Sequence, residues 1–223
     1  MAVDGTSGSG KSSTSRGVAR RLGLAYLDTG AMYRAVTWWM LRHGVDVHDA
    51  EAVAERCEEP RIESGTDPLQ PTISVDGEDV AVAIRQDDVN AAVSPVSAVP
   101  RVRARMQVMQ RAIIEQAVAG AGIVVEGRDI GSAVWPDAPV KVYLSADAAA
   151  RAERRAAEEG GSDVDATRDS LLARDRIDSS RAVSPLVMAD GAVHVDSTFR
   201  TLDEVIEAIV AMVESVGSVE SRS

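Results

Sequence analysis

Short apolar runs and longer stretches of helical spacing alternate along the chain, a pattern that predicts strands separated by helices and hence an α/β fold with a parallel sheet. Met1-Ala2-Val3-Asp4 reads as the end of a first strand, and 12–22 as a helix stopped by a left-handed Gly23. Residues 24–27 make a second strand. A helix from about 30 to 43 follows, capped by Asp28 or Thr29 and closed by Gly44; Met32, Val36, Trp39 and Met40 recur at helical spacing, and Trp38 and Trp39 read as core. Residues 49–59 form a weaker helix ended by Pro60.

The pattern then changes. Between 61 and 85, Ile62, Ile73, Val75, Val80, Val82 and Ile84 fall in short alternating runs broken by Gly65, Pro68, Pro71 and Asp76-Gly77, which predicts a small antiparallel sheet with a hairpin at Asp76-Gly77. It interrupts the helix-and-strand alternation and reads as an inserted subdomain. Helices return at 87–98 and 101–119, the second carrying Arg101, Arg103, Arg105 and Arg111. Residues 121–126 and 140–144 have the composition of buried parallel strands. Asp147 caps a helix over 148–159 that Gly160-Gly161 breaks, and another runs from about 165 to 178. A last strand at 192–195 precedes Thr201-Leu202-Asp203-Glu204, a capping box opening a helix to about Ser215, with a fraying tail beyond.

The 223 residues suit one α/β domain with an insertion, and 45% apolar with 26% charged residues is the balance of a soluble globular protein. No run is apolar enough to cross a bilayer, the first residues lack the features of a signal peptide, and the lone Cys57 has no partner for an internal disulfide. These features predict a cytoplasmic protein with no membrane partner. A net charge of −11 argues against affinity for nucleic-acid polymers, so anions must be met by local arginine clusters.

Gly5-Thr6-Ser7-Gly8-Ser9-Gly10-Lys11-Ser12 fits the phosphate-loop pattern and has the strand before it and helix after it that the motif requires. Its glycines let successive N–H groups point at phosphate oxygens at a helix start, Lys11 reaches the β- and γ-phosphates, and Ser12 ligates Mg²⁺. Lys11 and Lys141 are the only lysines among 24 basic residues, so a lysine kept where the composition otherwise chose arginine points to a need for a compact ammonium. The signature of guanine-specific switches is absent, since Val142-Tyr143 follow Lys141, and large ATPase machines need more chain. A metabolic phosphotransferase leads, with a nucleotide-binding regulatory module as the alternative of another class.

Glu126 falls at the end of a buried strand, where a second carboxylate approaches Mg²⁺, and Gly127-Arg128-Asp129 follow at the position where open α/β sheets bind ligands. In Asp28-Thr29-Gly30-Ala31-Met32-Tyr33-Arg34, Thr29 and Arg34 can face one acceptor phosphate. Asp178 and Arg181, three apart, share a helix face or turn. Arg151, Arg154 and Arg155 lie on neighbouring turns and are expected to stand in the open until ATP arrives. His43, His48 and His194 lack convincing partners and receive no role.

The phosphate loop, the Asp28 to Arg34 run, Gly127-Arg128-Asp129-Ile130-Gly131 and the segment from Arg174 to Leu186 together resemble the bacterial cytidylate kinases over nearly the whole chain. That resemblance implies a three-layer P-loop kinase fold with a parallel central sheet, an acceptor-binding insertion centred on 60–86 and a lid over 148–176. It implies transfer from ATP, with Mg²⁺, to CMP or dCMP by a monomer, other acceptors such as UMP, AMP or shikimate being the same-class alternatives. Carried residue by residue, it implies ATP binding by Gly5, Thr6, Ser7, Gly8, Ser9, Gly10, Lys11, Ser12, Ser13, Arg151 and Arg155. CMP binding is implied for Thr29, Arg34, Ser94, Arg103, Arg128, Asp129, Arg174, Asp178 and Arg181; among these, Ser94, Arg103 and Asp129 match base-reading positions, and Asp178 with Arg174 the ribose contacts. Lys11, Arg128, Arg155 and Arg174 are the implied catalytic cations, with Ser12 and Glu126 on the metal. Glu126 stands where the family commonly has Asp, and the short first strand implies a clipped start.

Overall fold

The computed structural model describes residues 1–158, 161 and 163–220. In chain order the elements are β1 (Ala2–Gly5), α1 (Lys11–Leu22), β2 (Ala25–Asp28), α2 (Thr29–Arg42), α3 (Ala50–Arg56), β3 (Ile62–Ser64), β4 (Ile73–Val75), β5 (Glu78–Asp79), α4 (Asp87–Ala98), α5 (Pro100–Val118), β6 (Ile123–Glu126), β7 (Lys141–Ser145), α6 (Ala148–Glu158), α7 (Val164–Ser180), β8 (Val193–Asp196) and α8 (Leu202–Glu220). They divide into one unit of Met1–Leu24 with Val124–Ser223, and a second of Ala25–Ile123.

In the first unit the strands of the main sheet run in the order β6-β1-β7-β8. In the first unit β1 pairs in parallel with β6 and with β7, Ala2 facing Val125 on one side and Lys141 on the other, and β7 pairs in parallel with β8. Every residue of β1 and β6 is buried, which explains why both read as continuous short runs with no alternation. α1 packs on α8, and Gly17 sets how closely: a Cβ there would lie 2.2 Å from Cδ1 of Ile206. The capping box forms as the sequence predicts, with Thr201 N–H donating to Glu204 Oε2 at 2.8 Å and Glu204 N–H to Thr201 Oγ1 at 3.3 Å.

In the second unit Asp28 caps α2, its Oδ1 accepting from Ala31 N–H at 2.9 Å, and Asp49 caps α3. The small sheet is antiparallel in the order β3-β4-β5. Its hairpin turns on Asp76 (φ 53°) and Gly77 (φ 86°), the two positive φ values that a tight two-residue turn demands. Trp38 and Trp39 are buried in α2, as core residues.

Several boundaries differ from the sequence reading. Val80, Val82 and Ile84 do not extend the sheet: β5 stops at Asp79, Ala83–Arg85 is a 3₁₀ turn, and Val82 is 82% exposed beside a buried Ile84. The alternation there comes from a turn that buries Val80 and Ile84, four residues apart, the spacing of a helical turn. α3 ends at Arg56, earlier than Pro60 required. The segment after Ser215 is helical to Glu220, while the remainder of the expected frayed tail, 221–223, lies outside the described residues, as do Glu159 and Gly160 at the expected end of α6.

Candidate active site

β1 delivers the loop. Gly5 has φ 151° and a Cβ on it would sit 1.9 Å from the Leu144 carbonyl oxygen, so only glycine lets the loop leave the sheet beside β7. Gly10, at φ 85°, is the residue before α1, and no side chain caps that helix, whose first turn also lacks acidic residues. Ser12 and Ser13 are exposed in this turn. Lys11 Nζ folds back to donate to the Thr6 carbonyl at 2.6 Å. Burial and the neighbouring Arg128 push its ammonium down to about 7, against the pull of Glu126, Asp175 and Asp4. Glu126 is buried at the end of β6.

Around this loop the first unit gathers a network of arginines and aspartates. Arg128 donates to the Gly5 carbonyl at 2.7 Å and to Ser7 Oγ, and its Nε lies 3.0 Å from Asp178 Oδ2. Asp178 also pairs with Arg181, as their spacing predicts. Arg151 is buried: its Nη1 donates to the Ser7 carbonyl at 2.7 Å and to Asp175 Oδ2 at 2.6 Å. Arg154 is half-buried and donates to the carbonyls of Ser197 and Thr198 at 2.6 and 3.1 Å, while Ser197 Oγ donates to the Ser9 carbonyl at 3.2 Å. The expectation that Arg151 and Arg154 stand in the open is therefore corrected. Arg151 reaches a phosphate-loop carbonyl and Arg154 the carbonyls after β8, and periodicity within α6 carries no sign of these long-range contacts. Burial depresses the Arg174 guanidinium, aided by Arg128, and Arg155 acts on it in the same direction.

Two carboxylates that the sequence reading missed organise this region. Asp4, buried in β1, accepts from Ile130 N–H at 2.8 Å through one oxygen and from Gly131 N–H at 2.7 Å through the other, tying β1 to the turn that carries Arg128 and Asp129. Burial raises its carboxyl to about 6 despite these donors. Asp175, in α7, accepts from Ser7 N–H at 2.8 Å. A carboxylate inside an otherwise apolar strand was the available signal for Asp4; none marked Asp175 among its neighbouring charges. Asp129 is buried beside the turn of Ile130–Val134.

In the second unit, Thr29 is buried at the start of α2, and Arg34 Nη1 donates to Asn90 Oδ1 at 2.5 Å and to the Ile84 carbonyl at 3.3 Å. Arg103, 1% exposed, donates to the Ser97 carbonyl at 3.2 Å and lies 5.4 Å from the Tyr33 ring centroid. Ser94 is buried in α4, its carbonyl accepting from Ser97 Oγ at 3.1 Å. Two histidines read as lacking partners have them: His43 stacks on Trp39 with centroids 3.9 Å apart, and His194 Nε2 lies 2.7 Å from Ser145 Oγ. Both contacts are ones that packing within a helix or between neighbouring strands creates, and they give no reason to assign chemistry.

A glycine-rich loop between a buried parallel strand and a helix, with a lysine and arginines converging on it, is the arrangement of α/β kinases that bind nucleotide phosphates. The fold is similar to that of a gluconokinase from Sinorhizobium meliloti 1021, with TM-score 0.51 at 16% identity, covering 100% of this chain and 95% of that one. The chain belongs to the cytidylate kinase family: the cytidylate kinase family model matches residues 1–215. It is 56% identical over 214 residues to a cytidylate kinase of Streptomyces griseus and 58% identical over 214 residues to one of Streptomyces coelicolor, each match covering 96% of this chain and 92% of the relative. A cytidylate kinase of Nocardia farcinica is 50% identical over 227 residues, covering 99% of this chain and 97% of the relative.

Proposed function

We propose that this protein transfers the terminal phosphoryl group of ATP to CMP or dCMP, forming ADP and CDP or dCDP. The observation that carries the reading is the family match over nearly the whole chain, joined to a phosphate loop whose Lys11 is the one cation drawn from a pair of lysines. Phosphoryl transfer asks a protein for in-line alignment and charge neutralisation, with no covalent intermediate. Lys11 supplies a point charge to the phosphates of ATP. Arg128, Arg155 and Arg174 supply guanidinium groups for the charge that spreads over the transferred group, and Arg151 holds the donor's phosphates.

On the acceptor, we assign Thr29, Arg34, Arg128 and Arg181 to the phosphate, Asp178 with Arg174 to the ribose, and Ser94, Arg103 and Asp129 to the base. Residues 60–86 serve as the acceptor-binding subdomain, and 148–176 as the lid. Mg²⁺ fits the donor set, because the Ser12 hydroxyl and the Glu126 carboxylate are hard oxygen ligands, and phosphate oxygens and water complete such a shell. Bound there, it would neutralise phosphate charge. We place the reaction in the cytoplasm and on a single chain, which a sedimentation measurement at assay concentration tests.

The base is the sharpest part of the proposal. Cytosine offers an amino donor where uracil offers a carbonyl, and an ionised carboxylate accepts but does not donate. Asp129 facing a uracil carbonyl would meet an acceptor with an acceptor, so UMP is the poorer substrate. The measurement is kcat/KM for CMP and UMP, by coupled ADP release, in the unmodified protein and in Asp129→Asn. The gap narrows in the variant, because an amide presents either a donor or an acceptor. Equal use of both substrates by the unmodified protein, or an unchanged ratio in the variant, removes Asp129 from base reading, and ADP release independent of any monophosphate removes the kinase reading itself.

A further inference from the structure

The Ser7 N–H is one of the loop donors turned towards an anion, and here the anion is part of the protein. Asp175 Oδ1 accepts that N–H at 2.8 Å across 168 positions of sequence. The other oxygen takes Arg151 Nη1 at 2.6 Å, and Arg128 Nη1 lies 3.5 Å from Oδ1. The same two guanidinium groups are bonded to the carbonyls of Gly5 and Ser7. One carboxylate thus meets a loop amide and two arginines, the partners a phosphate uses.

We propose that Asp175 is a surrogate anion for the phosphate loop: it holds Ser7, Arg128 and Arg151 in their nucleotide-binding arrangement and yields its place to the donor's phosphates, which inherit all three. The inference rests on the reading of this loop as the ATP site. Without an anion, the cations Lys11, Arg128 and Arg151 would repel one another around an amide removed from water and left without an acceptor. Asp175 offsets that repulsion, and it pulls the Lys11 ammonium against the push of Arg128. A di- or triphosphate brings more charge and more acceptor oxygens than one carboxylate, so exchange runs forward while no guanidinium is left bare. The competition weakens nucleotide affinity by the fraction of molecules in which Asp175 has withdrawn. Product release gains from the same contact, since the carboxylate returns as ADP leaves.

Isothermal titration calorimetry of the full chain with inorganic pyrophosphate, and separately with ADP, tests this in the unmodified protein and in Asp175→Asn, which keeps the shape and removes the charge. Both ligands should bind about tenfold tighter to the variant, equivalent to about 1.4 kcal/mol. A residue with a merely structural role would loosen the loop when replaced, so unchanged or weaker binding overturns the proposal. Asp178→Asn removes one charge from beside the same Arg128 without touching a loop amide, and should tighten pyrophosphate by less than about threefold. Equal tightening in both variants reduces the effect to net charge and also overturns it.

A second measurement needs no substitution and covers the case in which Asp175→Asn does not fold. The side-chain carboxyl ¹³C resonance of Asp175 in the unmodified protein should move on saturation with pyrophosphate, together with the Ser7 amide. An Asp175 resonance that stays in place while the amide shifts shows that no exchange occurs. Neither readout includes an acceptor, so a chain that failed to phosphorylate CMP would overturn the proposed reaction and leave this result to stand or fall by itself.

Discussion

The main sheet and the small sheet are built from the same backbone hydrogen bonds and arrange their polar groups in opposite ways. In the first unit, four parallel strands end on one side, and each end runs into the site: β1 into the phosphate loop, β6 through Glu126 into Arg128 and Asp129, β7 into the turn before α6 with its Arg151, and β8 into Ser197. Antiparallel strands reverse at every turn and split their ends between two edges, so β3, β4 and β5 gather no comparable set. Their turn uses Asp76 for construction instead: Oδ1 accepts from Arg61 N–H at 2.8 Å, and Oδ2 from Trp39 Nε1 at 3.0 Å. Carboxylates on the parallel strands lie beside the phosphate loop and its lysine, whereas the hairpin carboxylate ties down its own turn and Trp39.

The widest separation expected between the two sheets is at Lys11. Lys11→Ala should lower kcat about a thousandfold, roughly 4 kcal/mol of transition-state stabilisation, in a chain that still unfolds cooperatively in urea. Activity within tenfold of the unmodified enzyme, in a folded variant, would move the chemistry away from the loop.

Next comes the pH dependence that Asp4 brings to the parallel sheet. Its carboxyl is raised from 3.8 to about 6, so the native state keeps a proton that the unfolded chain loses. The stability this contributes is complete below 3.8 and is lost as pH rises through about 6, amounting to about 3 kcal/mol over the window. Lys11 acts with the opposite slope and at higher pH: its depressed ammonium makes stability rise with pH between about 7 and 10.5. Urea unfolding of the unmodified protein, compared with Asp4→Asn from pH 4 to 7, isolates the first effect, and parallel curves would show that Asp4 titrates normally.

The smallest effect belongs to the hairpin. Asp76→Ala removes two hydrogen bonds and places alanine at φ 53°, a combined loss of about 2 kcal/mol in urea unfolding. ADP binding, measured by calorimetry, should stay within about twofold, the scale of a remote structural change. A large loss of ADP affinity would erase the distinction between a sheet whose strand ends carry the phosphate loop and one whose turn holds itself together.

What could be read in advance follows the range of each interaction. Asp76-Gly77, the Thr201 to Glu204 box, Gly23 and the helix at Asp87–Ala98 were legible because local geometry demands those residues. Lys11, Arg128, Asp178 and Arg181 were legible from motif spacing, and the first unit brings them together. The phosphate-loop partners of Asp175 and Arg151 lie 168 and 144 positions away, and no local pattern encodes a contact at that range. At Val82 the fault was of period: two apolar residues four apart on a turn imitate the alternation of a strand when a third, exposed one falls between them.

The register of β1 bears on how the chain emerges from a ribosome. Its neighbours are β6, met at Val125, and β7, met at Lys141. At roughly 5–20 residues per second, the second of these appears about seven to twenty-seven seconds after β1 has been made. Until β6 is made both edges of Ala2–Gly5 present free amides and carbonyls, and one edge does so until β7 follows, a template for pairing with the wrong chain. Four residues, two of them Asp4 and Gly5, offer a poor template, which suits a strand that must wait. The second unit is continuous from Ala25 to Ile123, so every residue it needs has been synthesised before β1 gains either partner.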